Sequence, residues 1–144
     1  MKKYILVIMS IIMVTVLSAC TSDATPNDLM ENEWHSTINN DGIDLEVQFS
    51  FKEDKVKITP ELKSIDMDKM PADAKTLGKE FAESMAKTIV SQLKTTADYS
   101  LKEGKISIAE ESLGIDGRYP IKKEGENMII ESEGQRLVLE PIKK

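Results

Sequence analysis

Apolar and polar residues alternate along residues 45–52, where Leu45, Val47, Phe49 and Phe51 are separated by Glu46, Gln48, Ser50 and Lys52. A period of two puts the four apolar side chains on one face of a strand. Lys55-Val56-Lys57-Ile58-Thr59 resumes the alternation after Glu53-Asp54, which predicts a hairpin. Upstream, Asn39-Asn40-Asp41-Gly42 has the turn chemistry that tolerates positive φ. It joins a strand around 34–38 to the Leu45 strand, so three antiparallel strands open the domain.

The period then changes. From Pro71, suited to a first helical turn because it has no amide hydrogen to leave unpaired, to about Thr95 there is no further proline. Leu77, Phe81, Met85, Ile89 and Leu93 recur every four residues, with Gly78, Ala82, Ala86 and Val90 as a smaller row beside them. This pattern predicts one long helix over about 71–95, started near Asp68 or Asp73 and packed on the sheet through the large row.

Beyond the helix the period of two returns. Strands are predicted at 99–102, 105–109, about 117–123, 127–132 and 136–142, separated by Glu103-Gly104, Glu124-Gly125-Glu126 and Glu133-Gly134. Short glycine-bearing turns between apolar runs mark consecutive hairpins. The fold class is therefore α+β, mainly antiparallel β: a curled meander sheet or small barrel of about eight strands, with one long helix between the third and fourth strands.

The first twenty residues follow neither period. Lys2 and Lys3 precede an apolar stretch from Tyr4 to Leu17, relieved only by Ser10 and Thr15, and Ser18-Ala19 supplies a small-residue cleavage site. This is the layout of an export signal. The run Leu17-Ser18-Ala19-Cys20, ending in the chain's only cysteine, resembles the lipobox of bacterial lipoproteins. That resemblance implies a diacylglyceryl thioether on Cys20 and cleavage just before it. Residues 1–19 are then a signal peptide, 20–28 a lipidated linker that is polar and broken by Pro26, and 29–144 a single extracytoplasmic domain held on the cell membrane.

Cleavage shifts the charge. It removes Lys2 and Lys3 from 19 basic residues and none of the 25 acidic ones, leaving 17 against 25 and a formal charge of −8. Nucleic acid is disfavoured as a partner, because it demands a positive footprint. With the one thiol committed to lipid, the domain has no disulfide, and its roughly 115 residues suffice for one ordinary core.

Candidate chemistry is sparse. His35 is the only histidine, too few for a zinc or copper site, and it reads as a surface residue beside the core Trp34. Asp66, Met67, Asp68, Met70 and Asp73 gather oxygens and thioethers before the helix, but they lack the glycine and twelfth-position glutamate of a calcium loop. Glu110, Glu111, Asp116, Glu124, Glu126, Glu131, Glu133 and Glu140 crowd the last third, and read as solvent-facing positions on strands rather than a glycosidase pair. No phosphate-binding loop or dinucleotide fingerprint is present. No catalytic residue, metal or cofactor is assigned, and Cys20 is the one modified position.

Asn32-Glu33-Trp34, Phe49-Ser50-Phe51, Tyr99-Ser100-Leu101 and Leu137-Val138-Leu139 resemble the early tryptophan and paired strand motifs of lipocalin-like domains of small bacterial lipoproteins. Trp34, Phe49, Phe51, Phe81, Tyr99 and Tyr119 are about what one core needs, which leaves little to line a pocket. The expectation is a monomeric, non-catalytic binding module for an envelope protein or cationic peptide. A lipocalin-like carrier of a small hydrophobic ligand is the alternative. So is an immunity lipoprotein against an antimicrobial peptide, a class this chain resembles in layout.

Overall fold

The computed structural model describes residues 21–40, 42–76, 78–111 and 115–143, except for the side chains of Thr21, Ala74 and Ile115. The predicted export signal, Cys20, Asp41 and Leu77 lie outside them. In chain order the elements are β1 (Thr21–Asp23), α1 (Pro26–Glu31), β2 (Glu33–Asn40), β3 (Ile43–Lys52), β4 (Lys55–Ile65), α2 (Ala72–Thr76), α3 (Lys79–Gln92), β5 (Thr95–Lys102), β6 (Lys105–Glu110), β7 (Ile115–Glu124), β8 (Asn127–Ser132) and β9 (Gln135–Pro141).

Strands β2 to β9 pair antiparallel with their neighbours in order, and β9 pairs back with β2, closing an eight-stranded barrel. β1 adds to the lower end of β7, Thr21 opposite Glu124. It takes up that edge where the β6–β7 ladder ends at Pro120. The hairpins follow the sequence closely. Glu103-Gly104 and Glu133-Gly134 have positive φ at both residues, the backbone a two-residue turn needs to match strand twist.

The helical segment differs from expectation. It lies between β4 and β5, because Thr21–Asp23 adds a strand before the predicted first one. It is also two helices rather than one, divided at Gly78, whose φ of +80° stands at the α3 N-terminus. The packing face is corrected as well. Phe81, Met85 and Ile89 are about half exposed and Leu93 is exposed, whereas Val90 of the small row is buried. α3 rests on β4 through its narrow side and leaves its large row in water.

Residues 21–31 also depart from the linker picture, carrying β1 and α1. Thr25 and Asp28 form a capping box, Thr25 N–H donating to Asp28 Oδ2 at 2.9 Å and Asp28 N–H to Thr25 Oγ1 at 3.2 Å. Such reciprocal bonds satisfy amides that a helix start leaves unpaired. Leu29 is fully buried, and its carbonyl accepts from Trp34 Nε1 at 2.8 Å. α1 is thus a plug. The core above it comprises Trp34, Phe51, Val56, Tyr99, Ile106, Ile121, Met128 and Leu139, with the Phe51 and Tyr99 rings edge-on at 5.0 Å. Among the described residues, every core residue lies between Ala24 and Leu139.

Candidate functional site

The two ends of the barrel are built differently. One carries the turns at 53–54, 103–104 and 125–126 together with α1. Asp28 holds the plug to the wall there, with Lys123 Nζ 2.6 Å from its Oδ1. That ammonium and the Thr25 bonds hold the Asp28 carboxyl down at about 2, and the same pairing raises Lys123. The groove beside α1 measures about 880 Å³ but is lined by eight charged residues, Asp28, Glu31, Glu33, Lys52, Glu53, Lys123, Glu126 and Lys143. Met30, Trp34, Phe51, Met128, Pro141 and Ile142 line it as well.

At the other end the strands part. The β2–β9 ladder has two pairs, Trp34 with Pro141 and His35 with Glu140, although β2 continues to Asn40 and β9 begins at Gln135. The β4–β5 ladder stops at Ile58 and Thr95. Two residues on, β4 carries Pro60, which has no amide hydrogen to donate to a neighbour. Within this end lies a cavity of about 740 Å³, inside the range that small-molecule sites occupy. Phe49, Phe51, Ile108, Tyr119, Ile130 and Leu137 line its walls, and Ile38, Asn39, Asn40, Ser132, Gln135 and Arg136 its rim. Tyr119 fits because residue 117 is glycine: a Cβ there would fall 2.0 Å from the Tyr119 hydroxyl. A smaller space of about 200 Å³ fills the slot between β2 and β9, lined by His35, Ser36, Thr37, Arg136, Val138 and Glu140 among others. The apolar supply was therefore underestimated from sequence. With α1 plugging the floor and Phe81 outside, enough wall remains to line a pocket.

His35 lies on the outer surface, its Nδ1 3.8 Å from Glu46 and its Nε2 3.8 Å from Glu140. Glu46 also binds Lys63 at 3.0 Å, and this ammonium lowers the Glu46 carboxyl. Asp66 is occupied by its own turn, accepting from Asp68 N–H at 3.0 Å and pairing with Lys69 at 3.3 Å, which lowers it as well. Asp73 sits in the first turn of α2. Among the described residues no group of three or more His, Cys, Asp or Glu could hold a metal ion.

The late acidic residues are dispersed. Glu124 pairs with Arg136 and lies 3.7 Å from Lys122, Glu131 lies 2.8 Å from Lys122, and Glu126 binds Lys143 at 3.3 Å. Glu133 forms a turn, and Glu111 and Asp116 are exposed. These contacts form a ladder of ion pairs outside the barrel, with no carboxylate facing the mouth cavity. Ile108, Ile130 and Arg136, which sequence reasoning did not single out, and Tyr119, which it gave to the core, are brought together by the barrel.

No family model matches the chain, and neither a curated protein nor a solved structure does. The class is set by the fold itself: an eight-stranded antiparallel barrel, compatible with the lipocalin-like fold, with one end plugged and the other holding a cavity.

Proposed function

We propose that this protein is a lipid-anchored carrier on the extracytoplasmic face of the cell membrane, holding a small hydrophobic ligand in the upper half of its barrel without transforming it. The mouth cavity carries this reading: about 740 Å³ walled by Phe49, Phe51, Ile108, Tyr119, Ile130 and Leu137, with Arg136 the one charged residue among the described lining. Burying a ligand there removes apolar surface from water, the dominant favourable term in such association. The anchor rests on the Leu17-Ser18-Ala19-Cys20 run. Because Thr21 is already in β1 at the plugged end, a lipid on Cys20 would hold that end at the bilayer and leave the cavity facing away from it.

Two measurements test the reading. The chain 21–144 should bind N-phenyl-1-naphthylamine saturably at one per molecule, and Leu137→Trp, which pushes an indole into the cavity from its wall, should weaken that binding. Saturable binding that Leu137→Trp leaves unchanged would place the ligand elsewhere. Intact mass spectrometry of the membrane-extracted protein should show a diacylglyceryl mass on residue 20, and an unmodified product would remove the anchor.

A second reading is favoured by α3. Phe81, Met85 and Ile89 form a half-exposed apolar row of a kind that often marks a contact surface on soluble proteins. It suits the envelope-protein partner better than a cationic peptide, since the row offers no carboxylate. Capture of an envelope protein that Ile89→Ser abolishes, without effect on probe binding, would establish it beside the carrier role.

A further inference from the structure

The mouth also specifies the head of its ligand, an inference that rests on the carrier reading above. Among the described residues Arg136 is the one cation lining the cavity, and it lines the slot between β2 and β9 as well. Its side chain is 52% exposed and is held from one side by Glu124. Glu124 in turn lies 3.7 Å from Lys122, which is committed to Glu131 at 2.8 Å. Arg136 thus shares Glu124 with Lys122. A guanidinium carries five N–H donors in a planar fork, so the contact with Glu124 leaves donors free. Inward of Arg136 the wall turns apolar at once, with Leu137, Ile130 and Ile108. A cation at the rim above an apolar well matches a molecule with an anionic end and a hydrocarbon body.

We infer that the ligand is a single-chain amphiphile with a carboxylate or similar planar anionic head, its tail in the barrel and its head on Arg136. Carboxylate is favoured because the fork binds it through two parallel hydrogen bonds. The splayed β2–β9 slot gives such a chain a lateral way in, since neither strand edge is paired above His35 and Glu140.

The experiment compares three probes with the same tail on the chain 21–144, each displacing N-phenyl-1-naphthylamine below its micellar concentration: dodecanoate, dodecanol and dodecyltrimethylammonium. Dodecanoate should bind about tenfold more tightly than dodecanol, the scale of a hydrogen bond to a charged group, and the ammonium most weakly. Arg136→Gln should erase the preference while changing dodecanol binding less than about twofold. Arg136→Lys, which keeps the charge without the fork, should retain only part of it. Equal affinity for dodecanoate and dodecanol, or a preference that survives Arg136→Gln, overturns the head-group assignment and leaves the carrier reading standing. Failure of all three to bind overturns the carrier reading itself.

Discussion

α1 and α3 make opposite use of their apolar residues. α1 is six residues long with one large aliphatic side chain fully inside, Leu29, and it seals the barrel floor. α3 is fourteen residues long and richer in apolar residues, yet buries only Val90 completely while Phe81 stays 50% exposed. The difference lies in position. α1 lies across the barrel end with its other residues at the surface but drives Leu29 into the core, whereas α3 lies on β4 and inserts only Val90. Helix length and apolar content therefore say little about contribution to stability here.

The largest expected effect follows from that contrast. Leu29→Ala should destabilise the chain 21–144 by about 2–5 kcal/mol in chemical denaturation, because it leaves a hole in a plugged floor. Phe81→Ala should cost below about 1 kcal/mol, as a residue largely outside the core. Similar costs for the two would mean that α3 is packed as firmly as α1.

A smaller effect tests how the plug is held. Asp28 is 18% exposed on its side chain and is lowered from 3.8 to about 2 by Lys123 and Thr25. A carboxylate lowered on folding contributes stability that is full above its unfolded value and fades as pH falls through its folded value. Asp28→Asn should therefore cost about 1–2 kcal/mol at neutral pH, and the gap from the native chain should close as pH drops from 3.8 towards 2. A gap that persists at the acid end would mean that the ion pair is not what secures α1.

The legible part of this molecule is its ladder. Alternation from Leu45 to Phe51 and the Glu-Gly turns depend on neighbours in sequence, so the hairpins could be placed closely, whereas β4 continues past the predicted 59 to Ile65 and β5 begins at Thr95 rather than 99. α1 was legible in principle: Thr25 and Asp28 are spaced as a capping box and Pro26 stands at the first helical position, but one leucine in six residues gives no periodicity. The break at Gly78 was hidden because glycine also fits the small row of a continuous helix. The cavity was not legible, since Ile108 lines it while Ile106, two residues away on the same strand, is in the filled half. That division depends on how far α1 reaches and where the β2–β9 seam parts, both products of the closed fold.

The smallest expected effect in energy is the most direct in information. Methyl-resolved NMR of the chain 21–144 during titration with dodecanoate separates the floor, the mouth and the outer helix in one experiment. The account predicts that Ile108, Ile130 and Leu137 shift together and saturate, while Leu29, Ile106 and Leu139 in the floor and Ile89 and Leu93 on α3 stay in place. Shifts confined to Ile89 and Leu93 would contradict it, placing the binding surface on the helix and leaving the barrel as its support.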